Sequence, residues 1–157
     1  MRFRWTTHDS KGDRMNEITI RSYDESDEEQ VVELWREVFP DSPAHNISQE
    51  DIRRKLAVQR ELFLVACRGD ELVGTAVAGY DGHCGWVYYV ATSPRFQRQG
   101  IGSMLMHRVE SDLADMGCPK LNLQVRASNH EVVTFYKSLG YQVEERVSMG
   151  KLLKDHS

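Results

Sequence analysis

Two glycines one residue apart, Gly100 and Gly102, stand in the stretch "SPRFQRQGIGSML", Ser93 to Leu105. Arg95 and Arg98 come just before them. An apolar run, Tyr88 to Thr92, precedes the stretch, and apolar residues at helical spacing follow it. A helix start offers unpaired backbone N–H groups and the positive end of the helix dipole. It is a natural seat for an anion. Glycine lets an anion's oxygen approach the backbone, since no Cβ stands in the way. Arg98, with Arg95 beside it, can add charge. The alternative is a tight turn that needs glycine, with two solvated arginines. The spacing is not a P-loop, which needs G-x-x-x-x-G-K-[ST]. It is not the dinucleotide fingerprint either, because Leu105 stands where a third glycine belongs.

The elements that must carry this junction are legible on both sides. "ITIRSY" alternates as a half-buried strand does. In "DESDEEQVVELWREVF", Val31, Leu34, Trp35 and Val38 fall at helical spacing behind an acidic front, the charge a helix N-terminus favours. "PDSPAHN" reads as a loop, and "SQEDIRRKLAVQ" as a second helix opened by a capping box from Ser48 to Asp51. "LFLVACR" and "LVGTAVAGY" form a hairpin around Gly69-Asp70. "YDGH" is a turn before the strand "GWVYYVAT". A helix from Gly102 to Met116 is stopped by Gly117 and Pro119. "KLNLQV" reads as a strand, "SNHEVVTFYKSLG" as a short helix capped by Ser128 or Asn129, and "YQVEERVSMGKLL" as a final strand. The expected order is β-α-α-β-β-β-α-β-α-β.

The chain of 157 residues fits one domain. Its 40% hydrophobic and 28% charged residues are ordinary for a globular protein. A net charge of −4 argues against a nucleic-acid partner. No apolar run is long enough for a membrane span. Cys67, Cys84 and Cys118 are far apart and odd in number, which predicts neither disulfides nor a metal site and fits the cytoplasm. Residues 1–15 lack periodicity and are expected to be a disordered leader, with Met15 as the biological start and a single domain over 16–157.

"VATSPRFQRQGIGSMLM" resembles the acetyl-CoA-binding motif of the GNAT superfamily of N-acetyltransferases, R/Q-x-x-G-x-G/A after a strand ending near a proline. "LNLQVRASNHEVVTFYKSLGYQ" resembles that family's following segment. The element order agrees along residues 16–153, and "AGYDGHCGWVYYV" looks closest to bacterial YpeA-type members. The resemblance implies an α/β fold: a mixed, mostly antiparallel sheet with flanking helices and a splayed central parallel strand pair. It implies acetyl-CoA as cosubstrate and no metal. The acceptor would be a small-molecule amine or a peptide or protein amine, and a homodimer is admissible.

By match, Val90, Ala91 and Thr92 would pair with the pantetheine arm. Arg98, Gln99, Gly100, Ile101, Gly102 and Ser103 would seat the pyrophosphate, mainly through backbone N–H groups. Asn129 matches an asparagine that holds the pantetheine, and it also reads as a plain helix cap. Tyr136 matches the tyrosine that protonates the leaving thiolate. It also lies on an apolar face with Val132 and Leu139, as a core residue would.

The chain departs from related ribosomal-protein alanine N-acetyltransferases at Gln124, where they carry a glutamate base. A neutral amide accepts no proton. At pH 7 a lysine-like amine costs about 4–5 kcal/mol to deprotonate and an α-amine only about 1–1.5 kcal/mol. Asp81 and His83 are substitute bases by position, or simply turn residues. A non-catalytic acyl-CoA-binding sensor is the rival reading, favoured by Gln124 and opposed by Tyr136.

Overall fold

The computed structural model describes residues 17–41 and 45–153. The expected leader, residues 1–15, lies outside them. The chain divides into two compact units, Met1–Gln124 and Val125–Ser157.

The first unit holds a five-stranded sheet in the order β1-β2-β3-β4-β5. Its strands are β1 Ile18–Ser22, β2 Phe63–Arg68, β3 Glu71–Tyr80, β4 Gly85–Thr92 and β5 Leu121–Asn122. The first four pair antiparallel, and β5 runs parallel to β4. Gly69, at φ +59°, makes the turn between β2 and β3, a conformation that glycine adopts without steric penalty. Among the described residues, three α-helices accompany the sheet: α1 Glu28–Val38, α2 His45–Leu56 and α3 Ile101–Asp115.

β2 is buried from Phe63 to Cys67, which a strand covered on both faces must be. Phe63, Val65 and Cys67 join one cluster with Val31, Trp35 and Ile52 of α1 and α2. Gly74 of β3 lies under Ile101 and Leu105 of α3, on the opposite face. Each fully buried Phe or Leu of these layers contributes about 1.5–3 kcal/mol. The turn into α1 is fixed by charge. The Asp27 carboxylate accepts from Asp24 N at 2.9 Å and from the two terminal Arg21 guanidinium nitrogens at 2.7 and 2.9 Å. Those Arg21 bonds hold the Asp27 carboxyl below its usual range against the opposing effect of burial.

Two expectations fail in this unit. Helix α2 begins at His45, so Ser48 is an interior residue and no capping box forms there. The Asp51 carboxylate turns instead to Tyr89 and Arg54. The strand expected over "KLNLQV" shrinks to Leu121–Asn122, paired at Gly85↔Leu121 and Trp86↔Asn122. Beyond Trp86 the parallel pair parts.

The second unit carries α4, His130–Ser138, ended by Gly140 at φ +95°. The final strand expected over "YQVEERVSMGKLL" is absent: residues 141–153 carry no regular structure. Val143, Val147 and Met149 are 73%, 87% and 91% exposed. Alternation supplies a strand with a face, but a strand also needs a paired neighbour. Among the described residues no helix is long and apolar enough to cross a membrane.

Gly74 sets the closeness of β3, β4 and α3. A Cβ there would stand 2.9 Å from the Ala91 carbonyl oxygen and 3.1 Å from Ile101 Cγ2 and Leu105 Cδ1. The nearest atom is backbone and cannot rotate away. Gly74→Ala is expected to destabilise the protein by about 1–3 kcal/mol, the range for overpacking. Urea denaturation measures it, and an unchanged midpoint would show that β4 yields freely.

Candidate cofactor and acyl-transfer site

The middle of β4 is irregular. Val77 faces Tyr88 and Thr75 faces Ala91, so Tyr89 and Val90 stand opposite Ala76 alone. This is a β-bulge, and it bends the strand and re-aims its groups. Tyr89 sits at φ +50°, which costs a non-glycine residue about 1–2 kcal/mol.

Side chains from three other elements hold it there. Trp35 Nε1 donates to Thr75 Oγ1 at 2.9 Å, and Thr75 Oγ1 donates to the Tyr89 carbonyl at 2.8 Å. The Tyr89 hydroxyl donates to Asp51 Oδ2 at 2.7 Å. Its ring stacks on Trp35 at 4.0 Å and meets Phe39 edge-on at 5.7 Å. Burial first, then the Asp51 bond, pushes the Tyr89 phenol well up, so it keeps its proton.

Past Trp86, no described strand pairs with the β4 edge turned away from β3. Val90, Ala91 and Thr92 lie on this stretch, with Ala91 buried and the others half-buried. Their backbone is the edge to which an extended, amide-bearing ligand could add.

Nine residues after Thr92 the chain enters α3. A single 3-10 turn, Pro94–Phe96, tucks Phe96 inward, with the Arg68 and Arg95 guanidinium groups over its ring at 5.4 and 5.7 Å. Arg98 is at φ +64° and Gly100 at φ +77°. Met104 N donates to Gly100 O at 3.0 Å, opening the helix. The N–H groups of Ile101, Gly102 and Ser103 therefore precede any intrahelical acceptor. Nothing lies within 4 Å of a Cβ placed on Gly100, so its positive φ, not crowding, calls for glycine. Arg98, Gln99 and Gly100 are exposed. Arg95 differs from the expectation of a charge free for an anion: it pairs with Glu71.

Of the two substitute bases, Asp81 closes its own turn. Asp81 accepts from His83 N at 2.7 Å and Cys84 N at 2.8 Å. Those backbone bonds hold its carboxyl below the usual range, which makes it a poor base. His83 and Gln124 are exposed, and Gln124 lies beyond the end of β5.

In the second unit, Asn129 caps α4, its side chain accepting from Val132 N at 3.3 Å. Tyr136 is 8% exposed and packs on Phe135 and Tyr141 at 5.1 and 5.7 Å. Burial pushes its hydroxyl up to about 12, so it is protonated throughout the neutral range. Sequence reasoning missed Trp35, Thr75, Tyr89 and Asp51. Their link joins positions 14 to 40 residues apart.

The profile of a family described as "Acetyltransferase (GNAT) family" matches residues 23–141. An acetyltransferase of Yersinia enterocolitica is 40% identical over 136 residues, covering 87% of this chain and 96% of that one. An aminoglycoside N-acetyltransferase solved in complex with CoA superposes with a TM-score of 0.73 at 19% identity, covering 88% of this chain and 96% of that one. The ribosomal-protein-S18-alanine N-acetyltransferase of Escherichia coli gives 0.67 at 22%, covering 79% and 77%. The two structural likenesses show a shared fold.

Thr75 is the joint between the core and the bulge. Thr75→Val would leave the Trp35 N–H and the Tyr89 carbonyl without their partner. Each such buried orphan costs about 1–3 kcal/mol. Thermal unfolding is expected to show that loss and near-UV circular dichroism a changed Trp35 environment, while Thr75→Ser retains most of the stability. Equal stability of the Val and Ser variants would mean that the hydroxyl does not hold the bulge.

Proposed function

The chain belongs to the GNAT family of acetyltransferases, and from that premise we propose that it moves the acetyl group of acetyl-CoA to an amine by direct attack in a ternary complex. The observation that carries this reading is the open edge of β4 beside the Tyr89 bulge, followed nine residues after Thr92 by the N-terminus of α3. An extended pantetheine matches the first and a pyrophosphate the second.

Val90, Ala91 and Thr92 pair with the pantetheine amides. The backbone from Arg98 to Ser103 receives the pyrophosphate, with the Arg98 guanidinium exposed beside it. Asn129 contributes to holding the pantetheine in addition to its cap. A β4 backbone N–H at the bulge polarises the thioester carbonyl as negative charge develops on its oxygen. The amine nitrogen bonds to the carbonyl carbon, the carbon–sulfur bond breaks, and CoA leaves as a thiolate. The thiolate takes the Tyr136 hydroxyl proton, and the acceptor's surplus proton goes to water. The family match runs through Gln124, which supports residues 16–157 acting as one domain.

The acceptor is an amine of a small molecule, peptide or protein, met in the cytoplasm. Relatives of this fold carry names that specify aminoglycosides and a ribosomal protein alanine. Gln124 weighs against the second as the acceptor here.

Two variants test the assignment. Gly100→Glu brings negative charge to the phosphate seat, whereas Gly100→Asn keeps it neutral with a residue that tolerates positive φ. Calorimetry is expected to show acetyl-CoA binding at least about tenfold weaker in the Glu variant, about 1.4 kcal/mol, and much less change in the Asn variant. Equal affinity in folded Gly100→Glu and wild-type protein rejects the site.

Tyr136→Phe is expected to lower kcat by about a hundredfold or more, the scale of general acid catalysis, with acetyl-CoA affinity nearly intact. Lost stability with full turnover would instead make Tyr136 a core residue. Wild-type protein that binds acetyl-CoA yet releases no thiol across a broad amine screen would support the sensor reading.

A further inference from the structure

Thr75, in the middle of β3, is 0% exposed. A valine would fill the same space with no hydroxyl to desolvate. The hydroxyl therefore has value only through what it bonds, and its bonding leaves it no freedom. The Trp35 ring nitrogen can only donate, and it donates to Thr75 Oγ1 at 2.9 Å. A carbonyl oxygen can only accept, and the Tyr89 oxygen lies 2.8 Å from the same Oγ1. A hydroxyl has a single proton. With Trp35 on a lone pair, that proton is committed to the Tyr89 carbonyl.

The carbonyl so held belongs to the peptide group between Tyr89 and Val90. None of the described peptide bonds is cis. A trans peptide is planar, with its N–H opposed to its C=O. Pinning the Tyr89 oxygen towards β3 thus turns the Val90 N–H the other way, towards the β4 edge that no described strand pairs beyond Trp86. Tyr89 and Val90 are also the two residues set against Ala76 alone, so the ladder does not by itself fix this peptide. The left-handed φ of Tyr89, +50°, is a conformation that a bulky residue keeps only where its surroundings impose it.

Chain order decides which end of a ligand meets this group. The α3 N-terminus follows Thr92. A ligand with its pyrophosphate there and its pantetheine along β4 runs backwards along the strand, from Thr92 to Val90. Its thioester end arrives at the bulge.

We propose that Thr75 is a positioning residue for acetyl transfer: its hydroxyl, oriented by Trp35, holds the Tyr89 carbonyl in the core and so presents the Val90 N–H to the thioester oxygen. This rests on the acyl-transfer reading of the β4 edge. It names the donor and the side chains that aim it. The N–H is aimed before the ligand arrives, so no reorganisation is needed as negative charge develops on the oxygen. Thr75 and Trp35 are both buried and act only through the strand.

The test needs no acceptor. Acetyl-CoA isotopically labelled at its carbonyl carbon is bound to the protein, and its thioester carbonyl stretch is read by isotope-edited infrared spectroscopy. In wild type the band should lie below its position in free acetyl-CoA, the mark of a hydrogen bond to the oxygen. In Thr75→Val it should return most of the way, with acetyl-CoA affinity by calorimetry little changed. Thr75→Ser should restore it. A wild-type band at the free position, or a band unmoved in folded Thr75→Val, overturns the proposal.

A second measurement holds should Thr75→Val not fold. The Val90 amide signal is followed by NMR with acetyl-CoA and with CoA, and the acetyl group should move it downfield. Trp35→Phe, which keeps an aromatic ring beside Tyr89 and removes the N–H, should reduce that difference. No difference in wild type, or one undiminished in Trp35→Phe, overturns the proposal. Protein that fails to bind acetyl-CoA in calorimetry loses the acyl-transfer reading itself. Binding with a Val90 amide blind to the acetyl group sinks this inference alone.

Discussion

A buried line of two hydrogen bonds, Trp35 to Thr75 to the Tyr89 carbonyl, sets the shape of β4. A continuous ladder from Gly85 to Thr92 would have used the strand's groups regularly. The bulge instead places Tyr89 at positive φ, a loss of about 1–2 kcal/mol. Two hydrogen bonds at a net of about 0.5–1.5 kcal/mol each offset that loss, and the Trp35 ring stack adds about 0.5–1.5 kcal/mol. The irregular strand is thus the stable one in this core. The helix that supplies Trp35 is itself anchored through Asp27 to Arg21 of β1. The geometry of β4 therefore depends on contacts at both the edge and the centre of the sheet.

The two parts of the candidate site in the first unit arise differently. The α3 N-terminus is local: Arg98 and Gly100 adopt left-handed backbone, and Phe96 under two arginines fixes the approach. The β4 edge is long-range, made by a bulge on one side and the departure of β5 on the other. A change at Gly100 can thus alter an anion's seat without disturbing the bulge. A change at Thr75 reaches the strand's edge through the core. The short distance along the chain between the two fixes their spacing, a requirement for recognising both halves of one long ligand.

This difference explains what could be read in the sequence. The Gly69 hairpin, the apolar face of α1, the entry to α3 and the Asn129 cap are written in neighbouring residues, and the structure has each of them. Trp35 and Thr75 are 40 residues apart, and each has an ordinary explanation in its own element. Nothing in "VYYVAT" marks Tyr89 as the residue that breaks the alternation. The opposite failure occurs at "YQVEERVSMGKLL", where alternation is clear and no strand forms. Ser48 failed for a related reason: Ser-x-x-Asp spacing occurs at helix starts, but also within helices, and here Asp51 has a tertiary partner instead.

The titratable groups named for the proposed reaction bear on where an acceptor's proton would go. The fold moves Asp81 down through backbone bonds and both Tyr89 and Tyr136 up through burial. All three shifts lead away from neutrality. Asp81 is left an ionised turn residue, and the two phenols are left loaded with protons. Tyr136, raised to about 12, keeps its proton at any physiological pH. Gln124 carries a neutral amide, which accepts none. In the proposed reaction, donation to the leaving thiolate would fall to Tyr136, and removal of the acceptor's proton to water and to the acceptor's own pKa. On that proposal the deprotonation penalty, about 1–1.5 kcal/mol for an α-amine and about 4–5 kcal/mol for a lysine-like amine, would pass undiminished into the barrier.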